Sequence, residues 1–234
     1  MYIVTGGGTG IGRAIALALR DQGRQVLITG RRPEPLANAG PGITAVACDN
    51  ATPDGVRRML DHVPGSVDGL IHCAGGNPAI GRPDPDSPEA EAALLAETVD
   101  GNLTSAALTV TALAPRMTAG ASVVLFGSIA AEHGVGYYGP AKAAVASYAV
   151  GLAARLGPRG IRVNCVSPGY IADTEFFGGP LSREREQQLR AQTALDRTGL
   201  PEDAVALTLF LLSPEARHLT GQNLHLNGGA FTTR

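Results

Sequence analysis

Tyr2 to Leu19 reads YIVTGGGTGIGRAIALAL. Tyr2-Ile3-Val4-Thr5 is a short run of β-formers, Gly6 to Gly12 is a glycine-rich turn, and Arg13-Ala14-Ile15-Ala16 opens a helix that continues through Leu17 and Leu19. Strand, turn and helix N-terminus in that order make an anion site, because the first N–H groups of the helix and its dipole point into the turn. A pyrophosphate fits such a turn. The spacing is G-x-x-x-G-x-G rather than G-x-G-x-x-G, and no Gly-Lys-Ser/Thr follows to make a phosphate-binding loop of the nucleotide-hydrolase kind. The competing reading is a tight turn that binds nothing.

Beyond this unit, short apolar runs alternate with longer helical stretches, the pattern of a parallel sheet covered on both faces. Strands are expected at Tyr2–Thr5, Gln25–Thr29, Ile43–Ala47, Gly69–Cys73, Ser122–Phe126, Arg162–Val166 and Asn223–Leu226. Helices are expected near 11–22, 53–62, 88–116, 138–156, 183–193 and 202–212, with only a turn or two after Arg31. The expected fold class is therefore α/β: one doubly wound Rossmann-type domain over 1–234, with a seven-stranded parallel sheet and helices on both faces. No linker divides the chain, and the Pro-rich patch 77–88 reads as a loop.

With 19 basic and 21 acidic residues interspersed, the net charge of -2 carries no basic stripe of the kind nucleic acid or an anionic membrane demands. Cys48, Cys73 and Cys165 lie far apart with no Cys/His spacing for a metal, so no metal site is expected and the thiols read as reduced core residues. The chain begins directly on the first strand, without a charged leader or a membrane-length apolar run, which points to a cytoplasmic protein.

Eighteen of the 19 basic residues are Arg; the one Lys is Lys142, four residues after Tyr138. Positions i and i+4 share a helix face, so the phenol and the ammonium converge, and a nearby cation lowers a phenol's pKa toward the range useful for acid–base work. Taken alone, such a pair more often marks a Tyr packed on a Lys stem. Tyr137 points off that face and is expected in the pocket wall or a subunit contact, while His133 reads as an incidental loop residue. The second strand ends in Gly30-Arg31-Arg32, with a small residue where a ribose-binding acid would sit and two guanidinium groups after it. That favours the 2'-phosphate of NADPH/NADP+ over NADH/NAD+, through Arg31 and Arg32.

Thr5-Gly6-x-x-x-Gly10-x-Gly12, Ala74-Gly75, Asn102, Ser128, Tyr138-x-x-x-Lys142 and Ser167-Pro168-Gly169, in this order, resemble the motifs of the short-chain dehydrogenase/reductase family over essentially the whole chain. Within it, the chain is most similar to the 3-oxoacyl-(acyl-carrier-protein) reductase and acetoacetyl-CoA reductase branch. The resemblance implies an NAD(P)(H)-dependent oxidoreductase interconverting a ketone and a secondary alcohol. Asn102, Ser128, Tyr138 and Lys142 are its implied catalytic residues: Tyr138 as acid/base, Ser128 orienting the carbonyl, Lys142 lowering the phenol's pKa and holding the nicotinamide ribose, Asn102 positioning a water. The implied cofactor contacts are Gly6, Gly8, Thr9, Gly10, Ile11, Gly12, Arg31, Arg32, Asp49, Asn50, Ala74, Gly75, Tyr138, Lys142, Pro168, Gly169, Ile171 and Thr174. His72-Cys73 departs from the family's usual Asn-Asn, which removes a bracing amide and leaves the backbone to hold the strands. Thr9 stands where many NADPH enzymes of the family carry a basic residue.

Tyr170 to Pro180, YIADTEFFGGP, is expected to form a mobile lid (170–190) over the substrate, or to pack Phe176 and Phe177 into a subunit contact. The helix from Tyr138 is apolar on every side, which points to a homo-oligomer, a dimer or a homotetramer. The partner is a small-molecule carbonyl or alcohol: a 3-oxoacyl thioester, or a sugar, steroid or polyketide carbonyl. A non-catalytic NADP(H)-sensing protein on the same fold, and an isomerase or dehydratase, are the rival readings.

Overall fold

Hydrophobic residues on adjacent positions of each strand face opposite ways, and the computed structural model shows where each set goes. It describes residues 1–179 and 181–233. Seven parallel strands, β1 (Tyr2–Thr5), β2 (Val26–Gly30), β3 (Ile43–Ala47), β4 (Val67–His72), β5 (Met117–Phe126), β6 (Arg162–Pro168) and β7 (Asn223–Leu226), form one sheet in the order 3-2-1-4-5-6-7. The helices are α1 (Gly10–Asp21), α2 (Pro33–Ala37), α3 (Pro53–Leu60), α4 (Pro88–Val99), α5 (Ser105–Leu113), α6 (Ala130–His133), α7 (Tyr138–Leu156), α8 (Arg183–Ala191) and α9 (Pro201–Leu212).

Ile3 and Leu27 face one side, where Met59 of α3, Val110 of α5 and Leu152 of α7 cover them. Val4 and Ile28 face the other, against Ile15 and Leu19 of α1 and Leu211 of α9. Buried on both faces, the central strands read as unbroken apolar runs. The order reverses between β1 and β4, and the crevice at the carboxyl ends of the strands there is where open α/β sheets hold ligands.

Three elements differ most from the sequence expectation. β5 starts at Met117 rather than Ser122, because Met117 pairs with Val67 ahead of a register shift, with Gly120 at φ +91°. The helix expected over 88–116 is interrupted by a π turn at Asp100–Thr104 that contains Asn102, and insertions of this kind mark functional positions more often than plain helix does. The short α6 was not expected at all.

Asn50 ties the edge of the sheet to its cover. Only 4 % exposed, its side chain accepts from Thr29 Oγ1 at 2.7 Å and donates to Thr109 Oγ1 at 3.1 Å. Its polar side-chain atoms are thus committed to β2 and α5, so the expected cofactor contact at Asn50 falls to its backbone. Asn50→Ala strands two buried hydroxyls and is expected to cost about 1–3 kcal/mol. A urea midpoint equal to that of the wild type would contradict this account.

Candidate active site

The glycine turn is built by close approach. Gly6 has φ +64°, and a Cβ there would lie 2.8 Å from Ala74 N; a Cβ on Gly12 would lie 2.3 Å from Gly6 O. The turn thus packs directly on the loop leaving β4, and α1 starts without a side-chain cap on Thr9, so its first N–H groups face the crevice without an internal partner. Gly8, Gly10 and Ile11 complete the rim, and a Cβ on Gly10 would touch Thr174 at 3.5 Å. These features fit the pyrophosphate of a dinucleotide.

Further along the crevice, Asp49 caps its own turn, accepting from Ala51 N at 2.9 Å with one carboxylate oxygen. Arg31 is exposed and, among the described residues, has no ion pair; it lies near enough to Glu97 to add to the lowering of that carboxyl, which Arg82 dominates through its hydrogen bonds at 2.6 and 3.0 Å. Arg32, in contrast, pairs with Glu175 at 2.6 Å. Its guanidinium is engaged by the segment after β6 in an exposed ion pair.

Ser128, Tyr138 and Lys142 meet where β5 ends and α7 begins. Lys142, 4 % exposed, donates to Phe126 O at 2.9 Å and lies 5.6 Å from the centroid of the Tyr138 ring. Burial pulls its pKa from 10.5 down to about 8. Burial also pushes the Tyr138 phenol up to about 12, with the Ser128 hydroxyl as the opposing influence. The lowered phenol pKa expected from Lys142 is therefore not what the geometry produces: the ammonium sits over the ring and turns to a carbonyl, and desolvation dominates. Asn102, 1 % exposed, donates to Gly76 O and Thr98 O, both at 2.8 Å, and accepts from Gly76 N at 3.2 Å. Between Asn102 and Lys142 lies Gly75, at φ +139°, where a Cβ would stand 2.4 Å from Asn102 Oδ1 and 3.2 Å from Lys142 Nζ. Only glycine fits there.

The segment after β6 closes over this centre. Gly169 N bonds Leu226 O at 2.9 Å, Pro168 O accepts from Ile129 N at 2.9 Å, Ile171 bridges to Gly199, and Thr174 Oγ1 donates to Ile171 O at 3.1 Å. Phe176 stacks on Tyr138 with centroids 5.4 Å apart and meets Phe177 edge-on at 5.0 Å. Pro180, the last residue of the expected lid core, lies outside the described residues. Phe176 thus faces the site within its own chain. Tyr137 hydrogen-bonds Glu91 of α4, and His133 packs edge-on to Phe231.

His72 is what the sequence reading missed. Its buried imidazole bonds Thr5 Oγ1 at 2.9 Å and Ser105 Oγ at 3.1 Å, so a side chain, not the backbone alone, braces β4 against β1 and α5. All three cysteines are free, as expected. Among the described residues no group of acids, histidines and cysteines gathers to hold a metal, and no helix is long and apolar enough to cross a membrane.

Residues 6–231 match the family model described as enoyl-(acyl carrier protein) reductase. The chain is 36 % identical to L-rhamnose 1-dehydrogenase (NAD(P)(+)) of Azotobacter vinelandii, with 98 % of this chain and 95 % of that protein aligned. Among solved structures, it superposes on a short-chain dehydrogenase from Burkholderia cenocepacia in complex with NADP (TM-score 0.85, 32 % identity, 98 % and 96 % covered). It also superposes on a 3-oxoacyl-[acyl-carrier protein] reductase from Brucella melitensis (TM-score 0.86, 27 % identity, 99 % and 91 % covered). Sheet order, switch-point crevice and whole-length similarity agree: the chain belongs to the short-chain dehydrogenase/reductase family of NAD(P)-binding oxidoreductases.

Proposed function

We propose that the protein is an NADP(H)-dependent carbonyl reductase in which Tyr138 transfers the proton. The observation that carries this reading is a chain of neighbours at the switch point: Asn102 and Lys142 flank Gly75, Lys142 lies over the Tyr138 ring, and the Ser128 hydroxyl reaches the Tyr138 phenol. The Tyr138 phenol carries its proton at neutral pH and can give it to a carbonyl oxygen. Bound in the crevice, the nicotinamide cofactor supplies or accepts the hydride. The turn from Gly6 to Gly12, with Thr9 and Ile11, holds the pyrophosphate; Arg31 takes the 2'-phosphate; Asp49, Ala74, Gly75, Pro168, Gly169, Ile171 and Thr174 line the rest. Ser128 and the Tyr138 hydroxyl receive the carbonyl oxygen, Lys142 holds the ribose and stands behind the phenol, and Asn102 orders a water that restores the proton.

Tyr170, Phe176 and Phe177 give the substrate side an apolar wall, which favours a 3-oxoacyl thioester over a sugar. The outer side of α7 exposes Ala143, Ser147, Val150, Gly151 and Ala154, a smooth stripe that supports self-association as a dimer or tetramer. The oxidoreductase relatives leave no support for a purely cofactor-sensing role.

Tyr138→Phe is expected to lower turnover of a 3-oxoacyl thioester by about 10²–10⁴-fold while cofactor fluorescence titrations stay unchanged; retained turnover rejects the mechanism. Arg31→Ala is expected to raise the KM for NADPH on the order of 10- to 100-fold, the loss of a charge-assisted bond, and to leave the KM for NADH in place. Equal effects on both cofactors sink the 2'-phosphate assignment.

Lys142 adds a pH signature. Its folded pKa of about 8 lies below its ordinary 10.5, so between those values the unfolded chain binds more protons than the native one. The cost of burying the ammonium is fully present below about 8 and relieved as pH rises toward 10.5. In the cofactor-free enzyme, the stability of the wild type relative to Lys142→Met should therefore climb over that window, as read by denaturation at fixed pH values. A flat difference contradicts the buried ammonium.

A further inference from the structure

His72 stands where the resembled family usually carries Asn, and its two ring nitrogens reach in opposite directions. On one side, Nδ1 lies 2.9 Å from Thr5 Oγ1, which itself accepts from Ala74 N at 3.2 Å. On the other, Nε2 lies 3.1 Å from Ser105 Oγ, whose donor contacts are Gly101 O at 2.8 Å and Asn102 O at 3.4 Å. The bonds can be oriented by counting hydrogens. Thr5 Oγ1 already accepts from Ala74 N and, among the described residues, its own proton has no acceptor in reach other than Nδ1, so the ring proton lies on the Ser105 side, and Ser105 accepts it while giving its own to Gly101 O or Asn102 O. Nε2 must therefore carry a proton. A neutral imidazole has one, so Nδ1 is bare and accepts from the Thr5 hydroxyl, whose oxygen in turn receives Ala74 N–H. Every group in the chain is satisfied in this orientation alone.

The relay closes a ring around the centre of the site. One arm fixes Ala74 at the start of the loop leaving β4; the other fixes the π turn carrying Asn102, whose amide clamps Gly76 at the loop's end. Gly75, between the two anchors, faces Lys142 Nζ. At 1 % exposure, the imidazole touches no solvent. Burial, then the charge of Lys142, pulls its pKa down to about 3, so the ring stays neutral and keeps its one proton.

We propose that His72 is a positioning residue: a single Nε2-protonated imidazole that sets the Ala74–Gly76 loop and Asn102 at a fixed distance from Lys142. The proposal rests on the catalytic reading of Asn102, Tyr138 and Lys142, and two independent readouts separate its failure from the failure of that reading. The first needs no activity. In the full-length wild type with ¹⁵N-labelled histidine, the ring signal assigned by its loss in His72→Gln should show a protonated Nε2 and a bare Nδ1. It should not titrate between about pH 5 and 8, where an ordinary histidine does. A proton on Nδ1, or titration in that window, overturns the proposal.

The second readout uses variants with different reach. His72→Asn places an amide near Thr5 but short of Ser105; His72→Gln reaches Ser105 but bypasses Thr5. His72→Asn, although it restores the family's usual residue, is expected to lower kcat on the order of 10- to 100-fold, the penalty of misplacing a group by about an ångström. The cofactor KM should stay near the wild-type value, and the Asn102 side-chain amide resonances should shift. His72→Gln should keep most of kcat and leave those resonances in place. Equal losses of kcat in both variants, tracking their thermal midpoints, make His72 a core filler and overturn the proposal. If the wild type turns over no carbonyl, the functional reading fails while the ring and amide spectra still decide the role of His72. If neither variant folds, the His72 ring is assigned in the wild type by its through-space contacts to Thr5 and Ser105, and that spectrum alone decides.

Discussion

A lone ammonium buried without a carboxylate is the constraint around which the centre of this protein is arranged. Taking a cation out of water is expensive unless its surroundings supply acceptors or its charge is given up. Lys142 does some of both: it donates to Phe126 O at the end of β5, and its pKa falls to about 8. The other groups that approach it are chosen by the same pressure. Gly75 leaves room beside the Nζ atom, His72 is kept neutral by it, and Cys73 and Cys165 present thiols rather than charges. A carboxylate there would quench the ammonium in a permanent ion pair and take from the phenol the one cation in its neighbourhood. Retention of a single lysine in an arginine-rich chain follows, since a planar guanidinium needs a wider fork of acceptors than one carbonyl offers.

The segment after β6 answers a second constraint, which is to cover this centre without sealing it. Thr174 lies beside Gly10 of the glycine turn, Glu175 holds Arg32, and Phe176 packs against Tyr138, so three successive residues span the crevice from the glycine turn to Tyr138. The contacts differ in kind. An exposed ion pair is worth little in water, and Phe176 is still 39 % exposed, whereas Tyr138 beneath it is nearly covered. Burial beneath this cover raises the phenol's pKa, and the contacts that hold the cover in place are individually weak.

Most of the sheet was legible from its β-formers: the buried run Tyr2–Thr5 and the partly exposed edge strands Ile43–Ala47 and Asn223–Leu226 all stand at their expected bounds. The glycine turn was legible because its geometry admits almost nothing else, with Gly6 and Gly12 in contact with backbone. What escaped were features set by tertiary proximity. Nothing local to residues 100–104 announces a π turn, since the irregularity seats Asn102 against Gly76, a residue on another element. The Arg32–Glu175 pair joins positions 143 residues apart. His72 was noticed as a departure but read as a loss, because a sequence shows which amide is missing and not that Thr5 and Ser105 stand ready for an imidazole.

That last misreading bears on how such sites tolerate change. An Asn amide gathers its donors and its acceptor on one carbon, whereas a neutral imidazole sets one donor and one acceptor on opposite sides of a rigid ring, so one residue can bridge β1 and α5 where an amide meets only one of them. The longer bridge requires partners of matching polarity at both ends, and here both are hydroxyls, each able to donate and accept. Thr5 passes the interaction to Ala74 and Ser105 passes it to the carbonyls of the π turn. A hydroxyl replaced by an amide or a thioether at either end would break the direction of the chain. The substitution at position 72 is therefore intelligible only together with positions 5 and 105, and the three act as one unit in fixing the loop that faces Lys142.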